Sequence, residues 1–177
     1  KESIKELIQK EIDAIKGIPL NNNYEGAINI ILHWIHESGG KLVTSGMGKA
    51  GQIALNISTT FSSTGTPSVY LHPSESQHGD LGILQKNDVL LLLSNSGKTR
   101  EILELIQLAK EIYPEIPIIS ITGKKDSNLC KESDVCLHIG DAAEICPLGL
   151  TPTISTTLMT VLGDVLVVET MKAIGFT

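Results

Sequence analysis

At 177 residues, 41% of them hydrophobic and 19% charged, the chain has the length of one domain and enough apolar side chains for a sizeable core. A formal charge of -6 supplies no net positive field for a polyanion, which argues against nucleic acid as a partner; any phosphate must be captured locally. The longest apolar run, Val89 to Leu93, falls far short of the roughly 20 residues of a bilayer span, and Cys130, Cys136 and Cys146 form no C-x-x-C pair. No membrane segment, disulfide framework or zinc knuckle is therefore indicated, and a cytoplasmic, reducing setting suits the thiols.

Lys1 to Lys16 spaces Ile4, Leu7, Ile8, Ile12 and Ile15 at helical intervals among charges, which predicts an amphipathic helix rather than a secretory signal. Asn21 to Asn23 break it, and a second helix is expected from Glu25 to Glu37, stopped by Gly39 and Gly40. The rhythm then changes. Short apolar runs at Lys41 to Ser45, Ser68 to Leu71, Asp88 to Leu93, Ile116 to Thr122 and Val135 to Ile139 read as buried strands. Ala50 to Ser62, Arg100 to Tyr113 and a short piece near Asp126 to Lys131 carry helical spacing between them. A repeated β-α-β order implies a parallel sheet, and strands apolar throughout imply helices on both faces. The expected fold class is α/β, a three-layer α/β/α sandwich, with Thr153 to Ile174 as a last buried or interface helix ended by Gly175. Nothing like a linker or repeat divides 1–177, so a single domain is expected, with 1–37 as its N-terminal helices.

Ligands of open parallel sheets sit beyond the carboxyl ends of the strands, so the loops there carry the chemistry. After the first strand comes Ser45-Gly46-Met47-Gly48-Lys49-Ala50-Gly51, where glycines permit close backbone approach, a helix start attracts anions and Lys49 adds a mobile positive charge. Gly46, Gly48 and Gly51 also spell G-x-G-x-x-G, but the second strand runs into His72 and Pro73 instead of the acidic residue that a nicotinamide nucleotide requires. After the third strand stands Ser94-Asn95-Ser96-Gly97-Lys98-Thr99, whose hydroxyls, amide and helix-start N–H groups form a phosphate cradle or, more blandly, a helix cap. Leu92 occupies the place where a triphosphate loop needs glycine, which argues against ATP hydrolysis. Thr151 to Thr157 opens the last helix with hydroxyls that close the phosphate site from another side or cap the helix.

Through Gly46-Met47-Gly48-Lys49, Thr64-Gly65-Thr66-Pro67, His78-Gly79-Asp80-Leu81-Gly82, Ser94-Asn95-Ser96-Gly97, Cys146-Pro147-Leu148-Gly149-Leu150 and Ser155-Thr156-Thr157, the chain resembles the sugar isomerase (SIS) domain family from about Val43 to Thr177. Within it the resemblance is to the arabinose 5-phosphate isomerases of the 3-deoxy-manno-octulosonate (Kdo) pathway, which feeds lipopolysaccharide or capsule. The resemblance implies a five-stranded flavodoxin-like fold, a homo-oligomer, often a tetramer, and interconversion of D-ribulose 5-phosphate with D-arabinose 5-phosphate, with no cofactor. It places Lys49, Glu101, Glu144 and His78 at the active site. Around the sugar phosphate it places Ser45, Gly46, Gly48, Gly65, Thr66, His72, Ser94, Asn95, Ser96, Thr99 and Ser155, with His72 able to bind inhibitory zinc. Relatives usually carry glutamate at the position of Lys98, their catalytic histidine lies beyond the equivalent of Thr177, and many continue into tandem CBS domains, so a short form is implied.

An aldose-ketose isomerase opens the ring, moves a proton between C1 and C2 through an enediol and stabilises the oxygen charge that develops; positioned acids and bases suffice. Glu144 is the first choice for the base, Lys49 for holding the enediolate and His78 for ring opening, while Glu101 doubles as a carboxylate favoured by the helix dipole. His33 and His36 share a helical face that could ligate metal but reads sooner as a solvated pair, and His138 reads as structural. Two rivals remain: a non-catalytic sugar-phosphate sensor, which needs only the cradle, and an isomerase of another phosphosugar such as a hexulose 6-phosphate. The nucleotide-activated sugar acid CMP-Kdo is a candidate feedback ligand for a site suited to anionic sugars.

Overall fold

The computed structural model describes residues 3–141 and 143–177, and among them five strands: Leu42–Gly46 (β1), Ser68–Tyr70 (β2), Val89–Ser94 (β3), Ile118–Thr122 (β4) and Val135–His138 (β5). They pair in parallel in the order β2-β1-β3-β4-β5, with Leu42 facing Ser68 on one side and Val89 on the other. The helices are Ile4–Lys16 (α1), Tyr24–Ile31 (α2, which widens into a π-helical turn, Leu32–Glu37), Gly48–Ser63 (α3), Arg100–Ile112 (α4), Asn128–Glu132 (α5) and Ile154–Ile174 (α6).

Because successive strand side chains point to opposite faces, each strand feeds two cores. Leu42, Val89, Leu91, Leu93, Ile119, Ile121 and Leu137 face α2, α3 and α6, whereas Val43, Leu90, Leu92 and Ile118 face the buried stripe Ile102, Leu105, Ile106 and Ala109 of α4. Both faces of β3 are thus buried, as its five consecutive apolar residues demand. The edge strand β2 departs from expectation: it is half-buried, because nothing pairs with its outer side. On the other edge, β5 is finished by a side chain. The Asn22 amide donates to the His138 carbonyl at 2.8 Å and accepts from the His138 N–H at 3.0 Å.

At 21 residues, α6 is long and apolar enough to cross a membrane, yet its Leu158, Met159, Leu162, Leu166 and Val167 are buried in the core. It can approach α3 closely because Gly163 has no side chain; a Cβ there would strike Ile57. The cysteine reading needs correction. Cys130 and Cys136 are joined in a disulfide, Cα–Cα 5.2 Å, since the chain leaves α5 and turns straight back into β5. Spacing of six residues carries no sequence signal for such a pair, whose separation is set by the reversal between the two elements.

Candidate active site at the carboxyl edge of the sheet

From β1 the chain crosses to β2 on one side of the sheet, and from β3 to β4 on the other, so the connections leaving the neighbouring strands β1 and β3 diverge at their carboxyl ends. A crevice opens at such a switch point. Here it is a cavity of about 270 Å³ lined by Met47, Lys49 and Ala50 after β1, by Leu93 to Ser96 and Thr99 after β3, and by Pro152, Ser155, Thr156 and Met159 at the start of α6.

Its walls are shaped by backbone economy. The turn from β1 into α3 is so tight that a Cβ on Gly46 would meet the Ala50 carbonyl, one on Gly51 would meet the Gly46 carbonyl, and Gly48 adopts φ +57°. The three glycines therefore serve the turn itself. In the loop after β3, the Ser94 hydroxyl bonds Thr99 Oγ1 at 2.7 Å and accepts the Gly97 N–H at 3.1 Å, while Ser96 Oγ accepts the Lys98 N–H at 3.2 Å. Gly97, at φ +61°, leaves no room for a side chain against Ser127. The loop is thus organised by its own hydrogen bonds.

Neither Met47 nor Thr99, the N-caps of α3 and α4, makes a side-chain cap hydrogen bond. Two helix starts with uncapped N–H groups accordingly flank the crevice, each carrying the partial positive charge of its dipole, and Lys49, in the first turn of α3, also lines it. This is an arrangement for an anion of phosphate size.

The third helix start is handled differently. Glu144 Oε2 accepts from the Thr153 N–H (2.7 Å), Thr153 Oγ1 (2.8 Å) and the Ser155 N–H (3.3 Å), so it caps α6. Burial pushes its pKa up, but hydrogen bonds from Ser155 and Thr153 outweigh that and hold the carboxyl below the usual glutamate value. Glu144 lines a neighbouring cavity with Lys10, Asp13, Asp141 and Cys146; Ser155 joins the two spaces, since it lines the crevice and donates to Glu144.

The structure thus brings together Lys49, Ser94, Asn95, Ser96, Thr99 and Ser155, with Gly46 and Gly48 in the floor turn. Glu101 stands in the first turn of α4 and His78 ends an exposed 3-10 turn, Glu75–His78. Ser45 is buried and spends its hydroxyl on the Leu71 carbonyl at 2.6 Å. His72 is half-buried and edge-on to Tyr70, with its Nδ1 unpartnered, and no group of three metal-binding side chains exists among the described residues. Gly65 and Thr66 do not join the crevice. They precede β2 at the opposite, amino edge of the sheet, where Thr66 Oγ1 meets His36 Nε2 at 3.0 Å and Gly65 abuts Phe176. Burial lowers the pKa of that histidine.

Sequence reasoning missed two features. Met159 walls the crevice, although helical spacing marks it only as core. Cys146 sits in a nest: hydrogen bonds from the Thr151 hydroxyl and from the N–H groups of Thr151, Leu150 and Leu148 bring its thiol down to about 6. Its run, Cys146-Pro147-Leu148-Gly149-Leu150, drew attention only as part of a resemblance.

Comparison with known proteins agrees with this geometry. Residues 35–169 match the SIS domain model. The arabinose 5-phosphate isomerase KdsD of Shigella flexneri is 49% identical over 138 residues, which are 78% of this chain and 42% of that protein; the chain thus aligns with less than half of that relative. A Bacteroides fragilis protein assigned as a phosphosugar isomerase involved in capsule formation is 65% identical, with a TM-score of 0.97 over 98% of this chain and 91% of that one. An Escherichia coli CFT073 protein solved in complex with arabinose 5-phosphate is 36% identical, with a TM-score of 0.87 over 98% of this chain and 90% of that one. With the sheet order, the crevice between β1 and β3 and the family match over 35–169 all in agreement, the chain belongs to the SIS domain family.

Proposed function

We propose that this chain is an aldose-ketose isomerase that interconverts D-ribulose 5-phosphate and D-arabinose 5-phosphate. The observation that carries the reading is the crevice at the switch point, where Lys49, Ser94, Asn95, Ser96, Thr99 and Ser155 converge beside two uncapped helix starts. Relatives named arabinose 5-phosphate isomerase, and a neighbour holding arabinose 5-phosphate, supply the identity of the sugar.

In this reading the phosphate docks on the loop 94–99 and the α4 start, and the sugar extends toward the start of α6. Glu144, ionised at neutral pH because Thr153 and Ser155 hydrogen-bond its carboxylate, takes the proton from C2 of the open-chain aldose. The carboxyl exchanges that proton with solvent and delivers one to C1 of the enediol, while the O2 hydroxyl gives up its proton to balance the one gained by O1, which yields the ketose. Lys49 holds the oxygen charge that develops, His78 assists ring opening, and Glu101 orients the sugar from α4. Residues Gly65, Thr66 and His72 and a Kdo pathway setting rest on the family resemblance, and CMP-Kdo as feedback ligand rests on a site suited to anionic sugars. The homo-oligomer has support in the exposed stripe Ile4, Ile8, Ile12 and Ile15 on α1.

The test is proton NMR of the protein with D-arabinose 5-phosphate in deuterium oxide. Ketose formation together with deuterium uptake is the expected result. Binding without either signal would replace the isomerase with a sugar-phosphate sensor.

A further inference from the structure

Behind the phosphate loop lies a histidine that no part of the chemistry above uses. His138, at the end of β5, is 4% exposed and sits among buried groups. Its two ring nitrogens have different partners: Nδ1 accepts the Gly140 N–H at 3.2 Å, and Nε2 lies 3.0 Å from the Gly123 carbonyl. An N–H donor at Nδ1 leaves that nitrogen as the acceptor, so the ring proton is on Nε2 and is donated to Gly123. The carboxylate of Asp141 stands 3.8 Å from the same Nε2, beyond hydrogen-bond reach.

Gly123 in turn touches the loop. Its N–H donates to the Asn95 carbonyl at 3.0 Å, and a Cβ at Gly123 would strike the Asn95 side-chain oxygen. Asn95 is one of the residues lining the crevice. The ring is itself fixed, because Asn22 grips the His138 backbone on both its N–H and carbonyl. A connected path therefore runs from the α1–α2 connection through His138 and Gly123 to the backbone of Asn95.

We propose that His138 is a positioning residue for sugar-phosphate binding: its Nε2–H holds the Gly123 peptide, which holds Asn95 in the orientation that the phosphate meets. The inference rests on the phosphosugar reading of the crevice. Losing the donor leaves the Gly123 carbonyl buried and unpaired and lets the peptide turn, which loosens binding without touching the groups that move protons.

Two substitutions separate the nitrogens. His138→Asn supplies an oxygen near the Nδ1 position but nothing to Gly123, whereas His138→Gln extends an amide N–H to the Nε2 position. Measured on the full chain with ribulose 5-phosphate, His138→Asn should raise KM about five- to tenfold with kcat nearly unchanged, the size expected for one lost buried hydrogen bond, and His138→Gln should restore most of it. Equal KM values in wild type and His138→Asn, equal damage in both variants, or a fall confined to kcat would each overturn the proposal. Hydrogen exchange of the Gly123 amide in ligand-free protein tests the path independently of turnover: it should quicken in His138→Asn and not in His138→Gln. Wild-type protein that neither binds nor converts the sugar phosphate would remove the phosphosugar reading, and unchanged Gly123 exchange would remove the path from His138 to Asn95.

Discussion

Glu144 and Cys146 are two residues apart, and both owe their acidity to hydrogen bonds from neighbouring hydroxyls and backbone N–H groups. Hydrogen bonds from Thr153 and Ser155 hold Glu144 below the ordinary glutamate value of 4.5 despite its partial burial. A carboxyl depressed on folding contributes stability that is present at neutral pH and is lost as pH falls through 4.5 toward the folded value. Glu144→Gln should therefore flatten the acid limb of a plot of Tm against pH. In the isomerase assay it should cost about 100- to 10,000-fold in kcat, the range of a lost general base. For Cys146, the donors around Sγ predict that alkylation by iodoacetamide climbs with a midpoint near pH 6 rather than 9. Thr151→Val removes the first of those donors and should move the midpoint upward.

Among the elements, α6 carries the most consequences. Its N-terminus contributes Ser155 and Thr156 to the crevice, its middle fills the core, and its approach to α3 depends on Gly163 lying against Ile57. Gly163→Val gains nothing that offsets the overlap with Ile57 and should cost about 1–3 kcal/mol, seen as a lower Tm. The same substitution should raise KM by shifting the α6 start away from the 94–99 loop. A variant with wild-type Tm would show that α3 and α6 can slide apart freely. Strand and helix placement was legible wherever apolar residues kept a clear period: β3, α4 and α6 stand within a residue or two of expectation. The π-helical turn after α2 and the half-buried β2 were not, since the first is a local widening of a helix and the second depends on having one neighbour instead of two.

At the scale of the whole molecule, α1 is the element least accounted for by its own chain. It has no buried residue, and Ile4, Ile8, Ile12 and Ile15 are 78%, 56%, 41% and 38% exposed. Apolar residues aligned on one helix face in this way form a contiguous patch of the kind that marks an interaction surface. Light scattering on the native protein should give a multiple of 19.0 kDa, and Ile8→Glu with Ile12→Glu should reduce it to a smaller species with the fold retained. A monomer of 19.0 kDa in the unsubstituted protein would end the oligomer reading.

Local pattern determined a good deal by itself. Five apolar runs alternating with amphipathic stretches dictate a covered parallel sheet, and small polar residues at the ends of two of those runs mark the loops that wall the crevice. What periodicity cannot express is which strand lies beside which, because a period of two reports only the face that a side chain takes. Tertiary structure decided that β1 neighbours β3, and this brings Lys49 to Ser94 and Thr99; it also left Gly65 and Thr66 at the far edge, gave Glu144 to the start of α6 and joined Cys130 to Cys136. Each of these outcomes is a meeting of segments fixed by chain crossovers and reversals, which are settled only when the layers close over a common core.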